Sequence, residues 1–435
     1  MRKFFNFELH GTDYHKEIIG GVTTFFAMAY IIIVNPAILS AGGIPREASL
    51  TATILASIIG TLVMAFYARR PFAVAPYMGE NAFIAYTICL GMGYPWQKAV
   101  AAVFISGVIF ILITALRIRS WITTAIPNSL KRSFAAGIGF FIIFIGLNDT
   151  GLIRLGIPGA PVKIGIISSA GSLLAIFCII LIAILMIRKV PGAILFGILL
   201  TTILAFIFKH TAVPDKIVSM PPSLSPILFQ LDIAGVFNID FLPVILVLFI
   251  MAFVDTMGTL IGVSARAGLL DEHGNLPEIE KPMMADAIAT ASAGLLGTST
   301  SGAFIESAAG IEAGARSGFA SVVTAIMFAL SAFLAPLFVA VPGAAYGAAL
   351  VIVGFLMLAP MREMVFTDYT ELFPAAATIA MIAFTYNIGF GIASGFILYP
   401  LLKVVSGRAR ELTSGVWVLF FISLLLFIFY PYGKL

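Results

Sequence analysis

Runs of about twenty apolar residues follow one another along nearly the whole chain, and that succession admits very few folds. Such a run makes one helical crossing of a bilayer, and within lipid only helices and closed barrels satisfy their own backbone. The runs lie near 17–40, 49–68, 97–116, 130–148, 166–188, 191–208, 240–263, 316–338, 343–359, 371–386 and 388–405. Three more stretches, 74–88, 284–297 and 300–312, are too short or too rich in glycine, alanine and serine for ordinary lipid-facing helices. One crossing each gives fourteen, an all-α polytopic membrane protein. A last apolar run, 415–433, leaves a fifteenth crossing and an interfacial helix both open.

Composition agrees: 60% hydrophobic residues, 11% charged and a mean hydropathy of +1.08 are far from soluble averages. The net charge of +4 needs no nucleic acid to explain it. With the N-terminus inside, the fourteen-crossing frame puts eighteen Lys and Arg on the cytoplasmic side and six outside, leaving Lys434 to the unsettled last run. Cys89 and Cys178 both lie in apolar runs, so a disulfide framework is not expected. The first residues, MRKFFNFELHGTDYHKEI, lack the apolar core and cleavage site of a signal peptide and read as surface packing.

The chain also repeats itself. GENAFIAY at 79–86 resembles TSGAFIES at 300–307, sharing Ala-Phe-Ile at an offset of 221. VNP (34–36) lies opposite VDT (254–256) at 220, and AIPNSLKRSFAAGIGFF (125–141) opposite AVPGAAYGAALVIVGFL (340–356) at 215. Three matches in order at nearly constant offset imply two halves of seven crossings. Seven is odd, so the halves are inverted in the membrane. Inverted repeats with broken segments at matching positions are a transporter pattern, with the substrate near the midplane.

The broken pair is 74–88 and 300–312. If each begins as a short strand and ends as a short helix, free N–H groups face a ligand at the centre. Two acids stand nearby. A carboxylate at the bilayer centre costs about 2.5–3.5 kcal/mol even on the lenient scale, so it faces protein or a water-filled cavity. Glu306 follows Phe304 and Ile305 at the expected break. Ionised, it accepts two adjacent N–H groups of a planar heterocycle; protonated, it carries a coupling proton. The alternative is a structural acid neutralised by neighbouring amides. Asp255, in FVDTMGTL, has Thr256 beside it and Thr259 one helical turn on. It binds the substrate's other edge, joins the proton coupling, or makes a polar contact between helices.

Supporting residues surround these. Phe83 and Phe304 either sandwich a ring or simply pack. Asn81 is expected to hold the break together, whereas Glu80 is read either at the site or near an interface. Asp286 caps the segment at 284–297, and Asn35, opposite Asp255 in the repeat, reads as scaffold. Glu312 and Arg316 form an i, i+4 pair. Enzyme signals are absent: there is no G-x-x-x-x-G-K-[ST]. His10, His15, His210 and His273 have no metal-ligand spacing, and no nucleophile–base pair stands out. No cofactor is expected.

The segments GTDYHKEIIGGVTTFFAMAYIIIVNPAIL, PYMGENAF, VDTMGTLIG and GTSTSGAFIESAAGIEAGARSGF closely resemble the AzgA-like branch of the nucleobase–cation symporter-2 permeases, carriers of adenine, guanine and hypoxanthine. The resemblance runs from about residue 8 to past 405. It implies a seven-plus-seven inverted fold, with a core domain (1–124 and 236–339) moving against a gate domain (125–235 and 340–435) in an elevator-like cycle. Carried over by position, it implies that Asp255 and Glu306 hold the base. Thr259 matches a polar position one turn beyond the first acid. Ala82, Phe83 and Ile305 match the crossed strands whose main chain meets the ligand, and Ser307 follows the second acid. Proton symport is the family's usual coupling, and related carriers are often homodimers.

Two departures stand out. The usual P-G-M-G-L-N-A reads Pro76-Tyr77-Met78-Gly79-Glu80-Asn81-Ala82 here, and a frequent Asp three residues before the eighth crossing's acid is Ala252. The expectation is a proton-coupled purine transporter in the cell membrane. Rivals are a uracil, xanthine or small organic anion carrier of the same fold, a passive channel, and a membrane enzyme. With no Lys or Arg near the midplane, a neutral base is favoured over an anion.

Overall fold

The computed structural model of the chain describes residues 1–117, 125–157, 160–238, 241–272 and 276–429. Arg119, His273, Lys434 and the tail of the last apolar run at 430–433 lie outside the described residues.

Each apolar run folds as a helix. The first crossing is α1 (Tyr14–Met28) and α2 (Ile31–Ala41), broken at Ala29–Tyr30. The second is α3 (Arg46–Val63), continued by a π-helical turn to Ala68. The third is broken: β1 (Val74–Pro76), α4 (Met78–Ala82) and a π-helical stretch, Phe83–Gly91. There follow α5 (Trp96–Ala115), α6 (Asn128–Asp149), α7 (Ala170–Ile187) and α8 (Ala193–Ile207).

The second half repeats the order. It runs α9 (Leu242–Ala267), α10 (Glu280–Leu296), then β4 (Ser301–Ala303) with α11 (Ser307–Glu312) as the second broken segment. It ends with α12 (Gly318–Ser331, extended to Val339 by shorter turns), α13 (Gly343–Met357), α14 (Tyr369–Thr385) and α15 (Ile388–Val405). The last run forms α16 (Ser414–Phe429), packed on α15 and α9. The stretch at 284–297 is an unbroken helix, buried because its small residues admit close neighbours. Between α6 and α7, β2 (Ile153–Ile157) and β3 (Ala160–Ile164) form an antiparallel hairpin that the crossing count did not anticipate.

Local chemistry sets the starts. Pro45, Pro95, Pro127 and Pro342 stand at the N-caps of α3, α5, α6 and α13, where a missing N–H costs nothing and φ is already fixed. Pro127 and Pro342 are partners in the repeat, and so are Gly139 and Gly354 at the same offset of 215. Those two glycines meet across the pseudo-two-fold axis. A β-carbon on Gly139 would stand 2.8 Å from the Gly354 carbonyl oxygen, and one on Gly354 2.6 Å from that of Gly139. Small residues let backbones approach where lipid offers no hydrophobic drive between helices.

Packing divides the helices into two groups. α1, α3, α5, α9, α10 and α12 pack on one another, as do α6, α7, α8, α13, α14 and α15. In the first group Gly107 of α5 lies against Ala291 of α10, and Gly294 of α10 against Phe104. In the second, the buried Lys403 ammonium reaches Glu371 (2.7 Å) and Glu411 (2.8 Å), while Arg408 pairs with Asp368 at 2.6 Å. Those cations pull the Glu411 carboxyl down to about 2 and hold that of Asp368 well below the usual range. The long link from α8 to α9 runs across the first group's helix ends, where Thr51 donates to Pro222 O and the amides of Phe229 and Asp232 donate to Leu295 O and Gln97 O.

Glu17, fully buried, caps α12 from another helix. Its carboxylate accepts from the amides of Arg316, Ser317 and Ala320 and from the Thr12 hydroxyl. This also corrects the expected Glu312–Arg316 pair. Arg316 turns its guanidinium to the carbonyls of Ile311 and Ala315, and Glu312 pairs at 3.4 Å with Arg266 across the surface. Glu17→Ala strands the buried amides of Ser317 and Ala320 and the part-buried amide of Arg316, so a loss of about 2–4 kcal/mol is expected. Thermal unfolding in detergent reads it: Glu17→Ala should melt well below Glu17→Gln, which keeps one acceptor oxygen.

Candidate functional site

The two broken segments cross. β1 and β4 pair antiparallel with Val74 opposite Ala303, Ala75 opposite Gly302 and Pro76 opposite Ser301. Two further bonds lengthen the ladder, Tyr77 N to Thr300 O and Phe304 N to Ala73 O, both 2.9 Å. A two-stranded ribbon inside a membrane has two open edges, and no water is available to satisfy them. Side chains do so here. Thr61 of α3 both receives from Val74 N (2.9 Å) and donates to Val74 O (3.1 Å). Thr290 of α10 does the same for Ser301 (3.2 and 2.8 Å). Asp286 accepts from Ala303 N at 3.0 Å and Ser307 from Ala73 N at 3.0 Å.

The crossing corrects the register of the sequence repeat. The strands begin at Val74 and Ser301, an offset of 227 instead of the 221 of the Ala-Phe-Ile match. Ala82 and Phe83 therefore lie past the strand, in helical turns, fully buried and with their main chain engaged in helix. The structural partners are Tyr77 and Phe304, the residues that leave the two strands. Their rings are parallel, 5° apart in plane and 6.2 Å between centroids. Phe83 turns away towards Gly389 of α15, its ring 3.2 Å from where a β-carbon there would stand. Short strands such as VAP and SGA carry little sequence pattern, so the Ala-Phe-Ile match dominated the alignment.

Glu306 is the N-cap residue of α11, and Tyr30, at the break in the first crossing, donates its hydroxyl to Oε1 at 2.6 Å. Asp255 lies midway along α9, which packs on α11. Both acids keep partial exposure, as does Thr259, while Ile305 is 48% exposed. Gly258 has no neighbour within 4 Å of a β-carbon position, and Ile305 leans over Gly262 on the same helix. These partly exposed residues stand together where α9 packs on α11. Neither acid forms an ion pair among the described residues. Asp255 is next to Thr256, whose hydroxyl shares a 3.1 Å hydrogen bond with that of Tyr77.

Behind the acids is a polar frame. Asn81 donates to Asn35 Oδ1 (2.9 Å), and Asn35 donates to Thr53 (2.8 Å) and Thr298 (3.0 Å), tying the first three crossings to the turn before β4. Ser307 is fully buried and bonded to Ala73, on the frame side of the crossing. Glu80 is also fully buried. Sequence reasoning missed Tyr30, Tyr77, Thr61 and Thr290, whose roles depend on where the strands and helix breaks fall. A crevice of about 540 Å³ opens elsewhere, beside Asp149, Arg154 and His210.

The Permease family model matches residues 15–428. A guanine/hypoxanthine permease of Bacillus subtilis is 42% identical, covering 99% of this chain and 100% of the relative. An adenine permease of Escherichia coli is 38% identical, covering 99% and 96%. Among solved structures, the transmembrane domain of a cyanobacterial bicarbonate transporter matches with a TM-score of 0.64 at 18% identity, over 88% of this chain and 97% of its own. That last likeness is one of fold alone. The family and these relatives are permeases, not enzymes. With the inverted broken pair and the partly exposed acids beside it, the chain belongs to the nucleobase–cation symporter-2 permeases, in their AzgA-like branch.

Proposed function

We propose that this chain is a secondary active transporter of purine nucleobases, driven by proton symport. The observation that carries the reading is the pair of acids beside the strand crossing. Asp255 and Glu306 are partly exposed there on adjacent elements, with no cation paired to either among the described residues. Two carboxyls without a counter-cation suit a neutral heterocycle that presents N–H donors, and they disfavour an anion. A purine offers both N–H edges and a planar face. The main chain around Ile305 and the hydroxyl of Thr259 are the polar groups beside the acids. The names of the relatives, a guanine/hypoxanthine permease and an adenine permease, point to the same class.

The two packing groups supply the moving parts. The core, 1–124 with 236–339, carries both broken segments and would slide as a body against the gate, 125–235 with 340–435. The side-chain bonds that close the ribbon all come from the core, so the site would travel intact. The N-terminus would face the cytoplasm, the protein would reside in the cell membrane, and two copies would pair as a homodimer.

Uptake of radiolabelled adenine, hypoxanthine, guanine, xanthine and uracil into proteoliposomes tests this, with and without an inward proton gradient. A purine accumulated above its external level only under the gradient is the expected result. Equilibration without accumulation would instead mark a passive path, and accumulation of uracil alone would replace the cargo.

A further inference from the structure

Among the described residues, five buried side-chain oxygens without a hydrogen-bond partner gather at the broken segments and the helix beside them. They are both oxygens of Glu80, Oδ1 of Asn81, Oδ1 of Asp286 and the hydroxyl of Thr300. Glu80 is the most demanding, since it is wholly buried and neither carboxyl oxygen is satisfied. An isolated ionised carboxylate is the costliest group an apolar interior can hold, and such a group takes a proton or a cation.

The surroundings decide between the two. Glu80 is on α4, which packs on α2, α6 and α9 and runs into the stretch 83–91. α2 carries no titratable side chain. The ionisable residues of α6, Lys131, Arg132 and Asp149, are at its two ends, and Ile138 is the residue nearest Gly79. α9 carries Asp255 near the middle of its length as its single acid, and its Arg266 is at the far end, paired with Glu312. Tyr77, Tyr86 and Cys89 are the neighbours along the chain. The hydroxyl of Thr300 lies beside the carboxyl. No third carboxylate, histidine or cysteine completes a metal cluster among the described residues. Two carboxyls on packed helices, with no cation between them among the described residues, cannot both be ionised at low cost, so one of them takes a proton.

We propose that Glu80 is an additional proton-binding carboxyl of the transport site, linked to Asp255 and moving one proton with each substrate. The Thr300 hydroxyl, without another partner, supplies the oxygen that receives the acid's hydrogen bond. The inference rests on the transport reading above, but its first test does not.

Infrared spectra of the reconstituted protein, without substrate, separate the cases. The wild type should show a protonated-carboxyl C=O band that Glu80→Gln lacks. Glu80→Leu, which fills the same volume without a polar group, should lack it too and melt at a higher temperature than the wild type. That second variant keeps the test open if Glu80→Gln folds poorly. Loss of an ionised carboxylate band instead, or a band that sodium ions abolish, would overturn the proposal in favour of a cation site. The second test is accumulation of purine under a gradient of one pH unit. Each coupled proton multiplies the equilibrium ratio about tenfold, so Glu80→Gln should lower it about tenfold. An unchanged ratio would overturn the coupling role. A wild type that accumulates no base would sink the transport reading while the infrared result still decides the protonation of Glu80.

Discussion

Glu306→Gln is expected to lower purine uptake by at least about a hundredfold while leaving insertion and folding intact. The side chain keeps its length and one acceptor oxygen, so the 2.6 Å bond donated by Tyr30 survives. What goes is the charge and the second acceptor, the pair of atoms that would receive two adjacent N–H groups of the base. A hydrogen bond to a charged group is worth about 1.5–3 kcal/mol, and each 1.4 kcal/mol is about tenfold in affinity. Losing one such bond and weakening its neighbour reaches the stated factor. Binding of labelled purine to the detergent-solubilised protein, together with uptake, reads the effect. Wild-type binding in the variant would remove Glu306 from the site. Thermal unfolding of the same sample distinguishes a lost contact from a lost fold.

The membrane architecture was legible because lipid leaves a chain so little choice. Apolar runs became helices with ends shifted by a few residues, as at 240–263, which extends to Ala267. The broken segments were legible too, since glycine, serine and threonine at that depth are compatible only with buried irregular backbone. Their internal register was not. A three-residue strand needs small side chains and little else, whereas Ala-Phe-Ile is a vivid match with no structural equivalence behind it. The parallel pair Tyr77 and Phe304 was hidden for the same reason. Thr61 and Thr290 were invisible as partners because their role depends on where two strands end, which only the folded chain specifies. The hairpin at 153–164 was legible in principle: two short alternating stretches flank Gly156-Ile157-Pro158-Gly159.

Gly302→Ala should abolish transport and lower the melting temperature, although it adds a single methyl group. Gly302 is the central residue of β4, opposite Ala75, and Tyr77 folds back over it. A β-carbon there would stand 2.2 Å from the Tyr77 hydroxyl oxygen and 2.6 Å from the ring carbon that bears it. The ring cannot simply swing aside, because its hydroxyl is bonded to Thr256 and its face is parallel to Phe304. Either the ring leaves, opening a hole beside Asp255, or the strands part and expose the ladder bonds to an apolar interior. Overpacking of this kind costs about 1–3 kcal/mol, and an unmade buried bond adds about as much again. Tyr77→Ala in the Gly302→Ala background provides the control. It removes the clash and should recover part of the melting temperature without recovering uptake, since the ring and its bond to Thr256 are both gone. Native uptake by Gly302→Ala alone would mean that the crossing can loosen freely, and the site would have to be sought away from it.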